Sequence, residues 1–233
     1  MSATTVVQRV LGQEKIADCF AHIQELVNVW MKDNDVHRWE DIVSPREFEV
    51  ADDDYHFQVR QGATKIVIVP DEAHYVIKIP FIGEESWGDR DFYYFDGGDY
   101  DNDSFDYCEH EAYLYEQAEY FKCDQFFVPT IYIFDVENIP IYIQTKIKGL
   151  RSSSQPSNED TYRYASIKNS DVLIPEVGAK LLQYYSMDEV ANFLAFIKAF
   201  QVNDLEAARN GEYVEAFGRY VFWDYSGYKE YEF

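Results

Sequence analysis

The sequence predicts an α+β protein. Three Val/Ile-rich runs separated by short turns come early. A helical segment follows them, then two more extended runs, and the chain finishes in amphipathic helical stretches. Three strands, a helix, two strands and then helices is an element order found in α+β domains.

Each element has its own signal. Ile16, Phe20, Ile23 and Val27 recur at helical spacing, with Trp30 and Met31 on adjoining faces, so residues 1–50 read as a helical segment. Ser44-Pro45 breaks it. Strands are expected at 55–60, 65–69 and 75–80, divided by Gly62 and by the turn at 70–73. The Gly/Asp/Tyr-rich stretch 89–106 reads as an inserted loop, and a helix is expected over 109–121. Two strands at 130–136 and 140–147 flank Glu137-Asn138, a turn pair. Residues 152–158 are polar, contain Pro156 and read as a surface connection. Helices are expected at 177–185 and 188–200, then a polar loop and a short strand at 220–223.

Charge excludes one class of function. Forty-three acids against 20 bases leave a net charge of −23. From Asp89 to Glu119 the only cation is Arg90. Such a surface repels nucleic-acid phosphates and attracts basic surfaces. Asp96, Asp99, Asp101, Asp103 and Asp106 are therefore candidate contacts for a basic protein partner, and solubility alone accounts for the same charge. No apolar run reaches the roughly 18–20 residues of a membrane span. The first 13 residues lack the basic flank and apolar stretch of a signal peptide. Cys19, Cys108 and Cys123 are odd in number and widely spaced, which suits reduced thiols and a cytoplasmic location.

Three segments carry chemistry. Arg60-Gln61-Gly62-Ala63-Thr64-Lys65 joins two strands, and a glycine there lets backbone amides approach phosphate oxygens. A plain hairpin turn explains it equally. Tyr75-Val76-Ile77-Lys78-Ile79-Pro80 sets a lysine in an apolar strand, where its ammonium needs a partner or an edge from which to reach water. Glu111 opens the following helix as a candidate partner, with Glu109 and Glu116 as rivals. Asn203-Asp204-Leu205 precedes Asp224-Tyr225-Ser226-Gly227 by about twenty residues, with Val221-Phe222-Trp223 as a short strand between. One aspartate that orients an acceptor and a second that holds a metal against phosphates make a pattern suited to phosphoryl transfer. Asp99-x-Asp101-x-Asp103 begins like a calcium loop but has Ser104 and His110 where glycine and a bidentate glutamate are needed.

Taken in order, Gly62-Ala63-Thr64-Lys65, Tyr75–Phe81, Asn203-Asp204-Leu205, Gly211 and Asp224-Tyr225-Ser226-Gly227 resemble the protein-kinase-like superfamily, and most closely small kinase-like proteins of bacteria and their phages. The resemblance covers roughly residues 55–228. It implies a two-lobed fold: a five-stranded antiparallel small lobe over 51–148, interrupted by the acidic insertion 89–106, and a truncated helical large lobe over 149–233. It implies ATP as ligand, with Gly62, Thr64, Lys78 and Glu111 on the nucleotide side and residues 144–148 as the adenine-side hinge. Asp204 takes the catalytic-loop position and Asp224 that of the metal aspartate.

The family pattern places a magnesium-binding asparagine five residues after the catalytic aspartate, and here that position is Arg209. An arginine has no acceptor and a permanent positive charge, which sets it against magnesium. Asn210 serves instead if the loop holds one extra residue. The stretch after Asp224 is nine residues, too short for a peptide-binding platform. Three readings stand at this level: a degenerate, pseudokinase-like nucleotide binder; an acidic protein, such as a phage-encoded inhibitor, that mimics nucleic-acid charge; and an active phosphotransferase for a small acceptor.

Overall fold

The computed structural model describes residues 7–8, 10–11, 15–42, 56–62, 65–81, 107–202, 205 and 210–225. Thr64, Asp204, Glu206, Arg209 and the acidic candidates Asp96, Asp99, Asp101, Asp103 and Asp106 lie outside the described residues. The fold is α+β, with a five-stranded antiparallel sheet and five α-helices among the described residues. It divides into two compact units, one of residues 1–112 and 129–146, the other of residues 113–128 and 147–233.

In the first unit, helix α1 (Ile16–Asp33) precedes strands β1 (Phe57–Gln61), β2 (Lys65–Pro70) and β3 (Tyr75–Pro80). Strands β4 (Thr130–Val136) and β5 (Ile139–Thr145) complete the sheet in the order β1-β2-β3-β5-β4. Glu137 and Asn138 both take positive φ, 49° and 64°, the backbone of a tight two-residue hairpin between β4 and β5. The expected turn is therefore in place.

Period-two alternation gives the sheet two unlike faces. Ile66 and Ile68 of β2, Tyr75, Ile77 and Ile79 of β3, and Ile139, Ile141 and Ile143 of β5 share one buried cluster with α1. The stripe that α1 contributes is Cys19, Ile23, Leu26, Val27, Trp30 and Met31. Ile16 and Phe20, expected on that stripe, lie at its margin, where Phe20 meets Phe134 edge-on at 5.3 Å. A bulge between Tyr132 and Phe134 lets both Ile133 and Phe134 reach this core. The opposite face carries Lys65, Val67, Lys78, Tyr142, Gln144 and Thr130, aligned by the pairs Val67↔Lys78, Lys78↔Tyr142 and Thr130↔Gln144. Polar residues in strand interiors mark this face as the one with chemistry.

Helix α2 (Tyr107–Tyr120) begins in the first unit and ends in the second. The second unit also holds β6 (Leu150–Arg151), α3 (Asn158–Ala165), α4 (Pro175–Leu181), α5 (Met187–Phe200), β7 (Gly211–Val214) and β8 (Arg219–Phe222). Its core is aromatic: Phe126 stacks on Phe193 at 4.0 Å and on Tyr185 at 4.1 Å, and Phe193 stacks on Phe222 at 5.7 Å. Ser186 caps α5 through the Glu189 amide, and the Glu189 carboxylate accepts from the Ser186 amide in return. Three elements depart from the sequence expectation. The connection at 152–158 ends in Ser157, which caps α3, a helix too polar to show an apolar stripe. The polar loop before β8 instead forms β7, paired through Gly211↔Phe222 and Val214↔Arg219. Leu150-Arg151 adds a third, exposed strand to that small sheet.

Candidate functional site

Five buried polar side chains converge on the polar face of the five-stranded sheet. Glu111, wholly buried, stands at the centre. Its Oε1 accepts a hydrogen bond from Lys65 Nζ, and its Oε2 accepts one from Lys78 Nζ at 2.5 Å. Thr130 Oγ1 donates to the same Oε2 at 3.2 Å, and Gln144 Nε2 donates to Thr130 Oγ1 at 2.7 Å. The lysine side chains are 8% and 5% exposed, so these ion pairs sit away from bulk water. Burial pushes the Lys78 ammonium below its ordinary value, Glu111 opposes that shift, and neighbouring Lys65 adds to it.

Helix geometry selects Glu111 over its rivals. Cys108, Glu111, Tyr115 and Ala118 fall at three- and four-residue steps, and all are buried. Glu109 and Glu116 fall off that stripe and are exposed. A glutamate set within an otherwise apolar stripe is a signal readable from sequence. Lys65 and Thr130 are the members that sequence reasoning missed as site residues. Lys65 opens a strand, where a lysine ordinarily faces water, and only the register shows that it shares a face with Lys78.

Gly62 closes the β1–β2 turn, with its N–H donating to the Lys65 carbonyl at 2.9 Å. A Cβ added there meets only that carbonyl oxygen, at the ordinary contact distance of 3.5 Å, and its φ lies outside the left-handed region. The local fold therefore does not require glycine at this position. Its companion Thr64 is outside the described residues. At the hinge segment, Gln144 turns its side chain into the Glu111 network, and Lys146 Nζ donates to the Pro70 carbonyl at 2.5 Å.

No protein family, curated protein or solved structure matches this chain.

The metal-side candidates lie in the second unit. Asn210 is buried at the mouth of the β7–β8 hairpin, where its carbonyl accepts from the Trp223 N–H at 3.0 Å. Asp224, half-buried, follows directly. Asn210 precedes Gly211 and Asp224 lies two residues after Phe222, so both flank the open end of the hairpin closed by the Gly211↔Phe222 pair. The backbone at Asp224 is pinned from both sides. Phe222 O accepts from the Val128 N–H at 2.7 Å, and the buried Tyr225 donates its hydroxyl to Val128 O at 2.9 Å. Gly211 is required here, because a Cβ would strike the Phe222 ring at 2.5 Å. Asp204 and Arg209, the other members of this constellation, lie outside the described residues. Among the described residues no group of three His, Cys, Asp or Glu side chains gathers around one point, and no helix is long and apolar enough to cross a membrane. The three cysteines are free thiols and buried, with burial pushing the Cys123 thiol up to about 12.

Proposed function

We propose that this chain is a kinase-like nucleotide-binding protein with a degenerate phosphoryl-transfer apparatus. The observation that carries the reading is the buried Lys78–Glu111 ion pair, reached from a central strand and a helix and fixed by Thr130 and Gln144. A buried pair of this kind is weak as a source of stability, since desolvating both ions offsets much of their attraction. It is well suited to presenting a fixed ammonium to a phosphate oxygen. Gly62, a glycine that its own turn does not demand, fits a backbone approached closely by a ligand. In this reading Asp224 takes the metal-side position, Asp204 orients the acceptor, and Arg209 sets the site against magnesium, which Asn210 would hold only in an active form.

Thermal denaturation of the full chain with ATP, in EDTA and in magnesium, tests the proposal. At about 100 times Kd, ATP raises the melting temperature by roughly 5–11 °C in EDTA, and Lys78→Met abolishes the rise. Absence of a rise both in EDTA and in magnesium sinks it. A rise that needs magnesium replaces the degenerate apparatus with an active phosphotransferase in which Asn210 holds the ion.

A second reading rests on the net charge of −23 and the single cation between Asp89 and Glu119. Here the chain blocks a basic nucleic-acid-binding protein by presenting carboxylates in place of phosphates. Affinity for such a partner falls steeply with salt. Binding to a heparin-eluted basic fraction that is the same at 50 mM and 500 mM NaCl contradicts it.

A further inference from the structure

The Lys78–Glu111 pair sums to zero charge, and a phosphate approaching it meets attraction from one group and repulsion from the other. Lys65 changes that balance. With its ammonium on Oε1, and Lys78 and Thr130 on Oε2, the three charged groups sum to +1, and both carboxylate oxygens are held. Glu111 is thereby kept from turning an oxygen toward an incoming anion. Lys65 is also the residue whose carbonyl receives the Gly62 N–H, so the glycine turn and the charge balance are fixed by one residue.

We propose that Lys65 is a positioning residue that sets the charge of an anion site at Lys78, giving that site a preference for a polyphosphate tail over a monophosphate. The adenosine half of such a ligand rests on the nucleotide-binding reading above, whereas the anion half does not. Each added phosphate brings further negative charge, so a site of net positive charge distinguishes ATP from AMP, and a neutral one does so far less.

The test is isothermal titration of the full chain in EDTA, which removes any metal contribution, with ATP, AMP, adenosine, phosphate and tripolyphosphate. The wild type binds ATP at least about tenfold more tightly than AMP, and tripolyphosphate more tightly than phosphate. In Lys65→Met the ATP-to-AMP ratio falls to within about threefold while adenosine affinity holds, and Lys65→Arg restores the ratio. A ratio unchanged in Lys65→Met overturns the proposal. So does an equal loss for ATP, AMP and adenosine, the mark of a purely structural residue. If Lys65→Met fails to fold, the wild-type series decides, and equal affinity for phosphate and tripolyphosphate overturns it. Tripolyphosphate binding as tightly as ATP retains Lys65 and removes the nucleotide reading. Failure of every anion to bind removes both.

Discussion

Replacing Glu111 with glutamine keeps the side-chain shape and removes the charge on which two ammoniums converge. One amide oxygen then remains as acceptor, while the amide NH2 faces a second donor. The lysine side chains are only 8% and 5% exposed, so water does little to replace the carboxylate. Removing one partner of a buried pair costs about 3–5 kcal/mol. A charge pair about 4 Å apart at an effective dielectric of about 20 is worth ~4 kcal/mol, the same scale. The melting temperature of Glu111→Gln should fall by roughly 6–20 °C at pH 7. The sign of the pH dependence is also fixed. Burial and Lys65 hold the folded-state Lys78 value below its ordinary 10.5, and the variant lacks the Glu111 charge that opposes them. Between the folded and unfolded values the unfolded chain binds more protons, so variant stability recovers as pH rises toward 10.5. Urea unfolding at pH 7 and pH 9.5, followed by tryptophan fluorescence, measures the deficit. It should shrink at the higher pH, and the triple variant Lys65→Met/Lys78→Met/Glu111→Met should return to within about 2 kcal/mol of wild type. A Glu111→Gln deficit below about 1 kcal/mol, or one indifferent to pH, refutes this account of the cluster.

Gly62→Ala should leave the melting temperature within about 2 °C of wild type, since the new Cβ makes only an ordinary contact; a larger fall means that the turn needs glycine. Gly178→Ala should destabilise by about 1–3 kcal/mol in urea despite the better helix propensity of alanine. A Cβ there falls inside the ring of Tyr164, whose hydroxyl is bound to the Ser170 carbonyl at 2.8 Å; a neutral outcome shows that the ring moves freely. Ser186 holds the Glu189 carboxylate below its ordinary 4.5 through side-chain and backbone hydrogen bonds. Its contribution is therefore present above pH 4.5 and fades as pH falls through the lowered value. The stability gap between wild type and Glu189→Gln should narrow from pH 6 to pH 3 in thermal melts, and a constant gap refutes the assignment.

Sequence made the sheet legible because its strands are Val/Ile-rich and its turns carry Gly62, the Pro70–Ala73 segment and Glu137-Asn138. Lys78 was legible as a charge set in an apolar strand, whereas Glu111 stood beside its rivals Glu109 and Glu116 until burial singled it out. What sequence did not reveal depends on long-range pairing. Lys65 reads as an exposed strand end until its register places it beside Glu111. Thr130 reads as an ordinary β residue, and its hydroxyl matters only because Gln144 and Glu111 bracket it. Strand β7 was hidden for a different reason. Gly211-Glu212-Tyr213-Val214 is short and glycine-started, and only its pairing with β8, which sets Gly211 opposite the Phe222 ring, shows it to be a strand. Helix α3 is likewise defined by its cap and not by an apolar stripe.

The interleaving of the two units bears on how the chain is made and how it can be cut. The backbone passes from one unit to the other three times, after residues 112, 128 and 146. Neither unit is therefore a contiguous stretch that a single truncation releases. Strand β3 must wait some seventy residues for its partner β5, since Tyr75 pairs with Thr145. During synthesis β1, β2 and β3 emerge first, with the β5-facing edge of β3 unpaired and Lys78 lacking its carboxylate until α2 follows. Long-range closure of this kind slows folding, and at the ribosome it makes the first unit's completion contingent on a segment of the second already having left the exit tunnel.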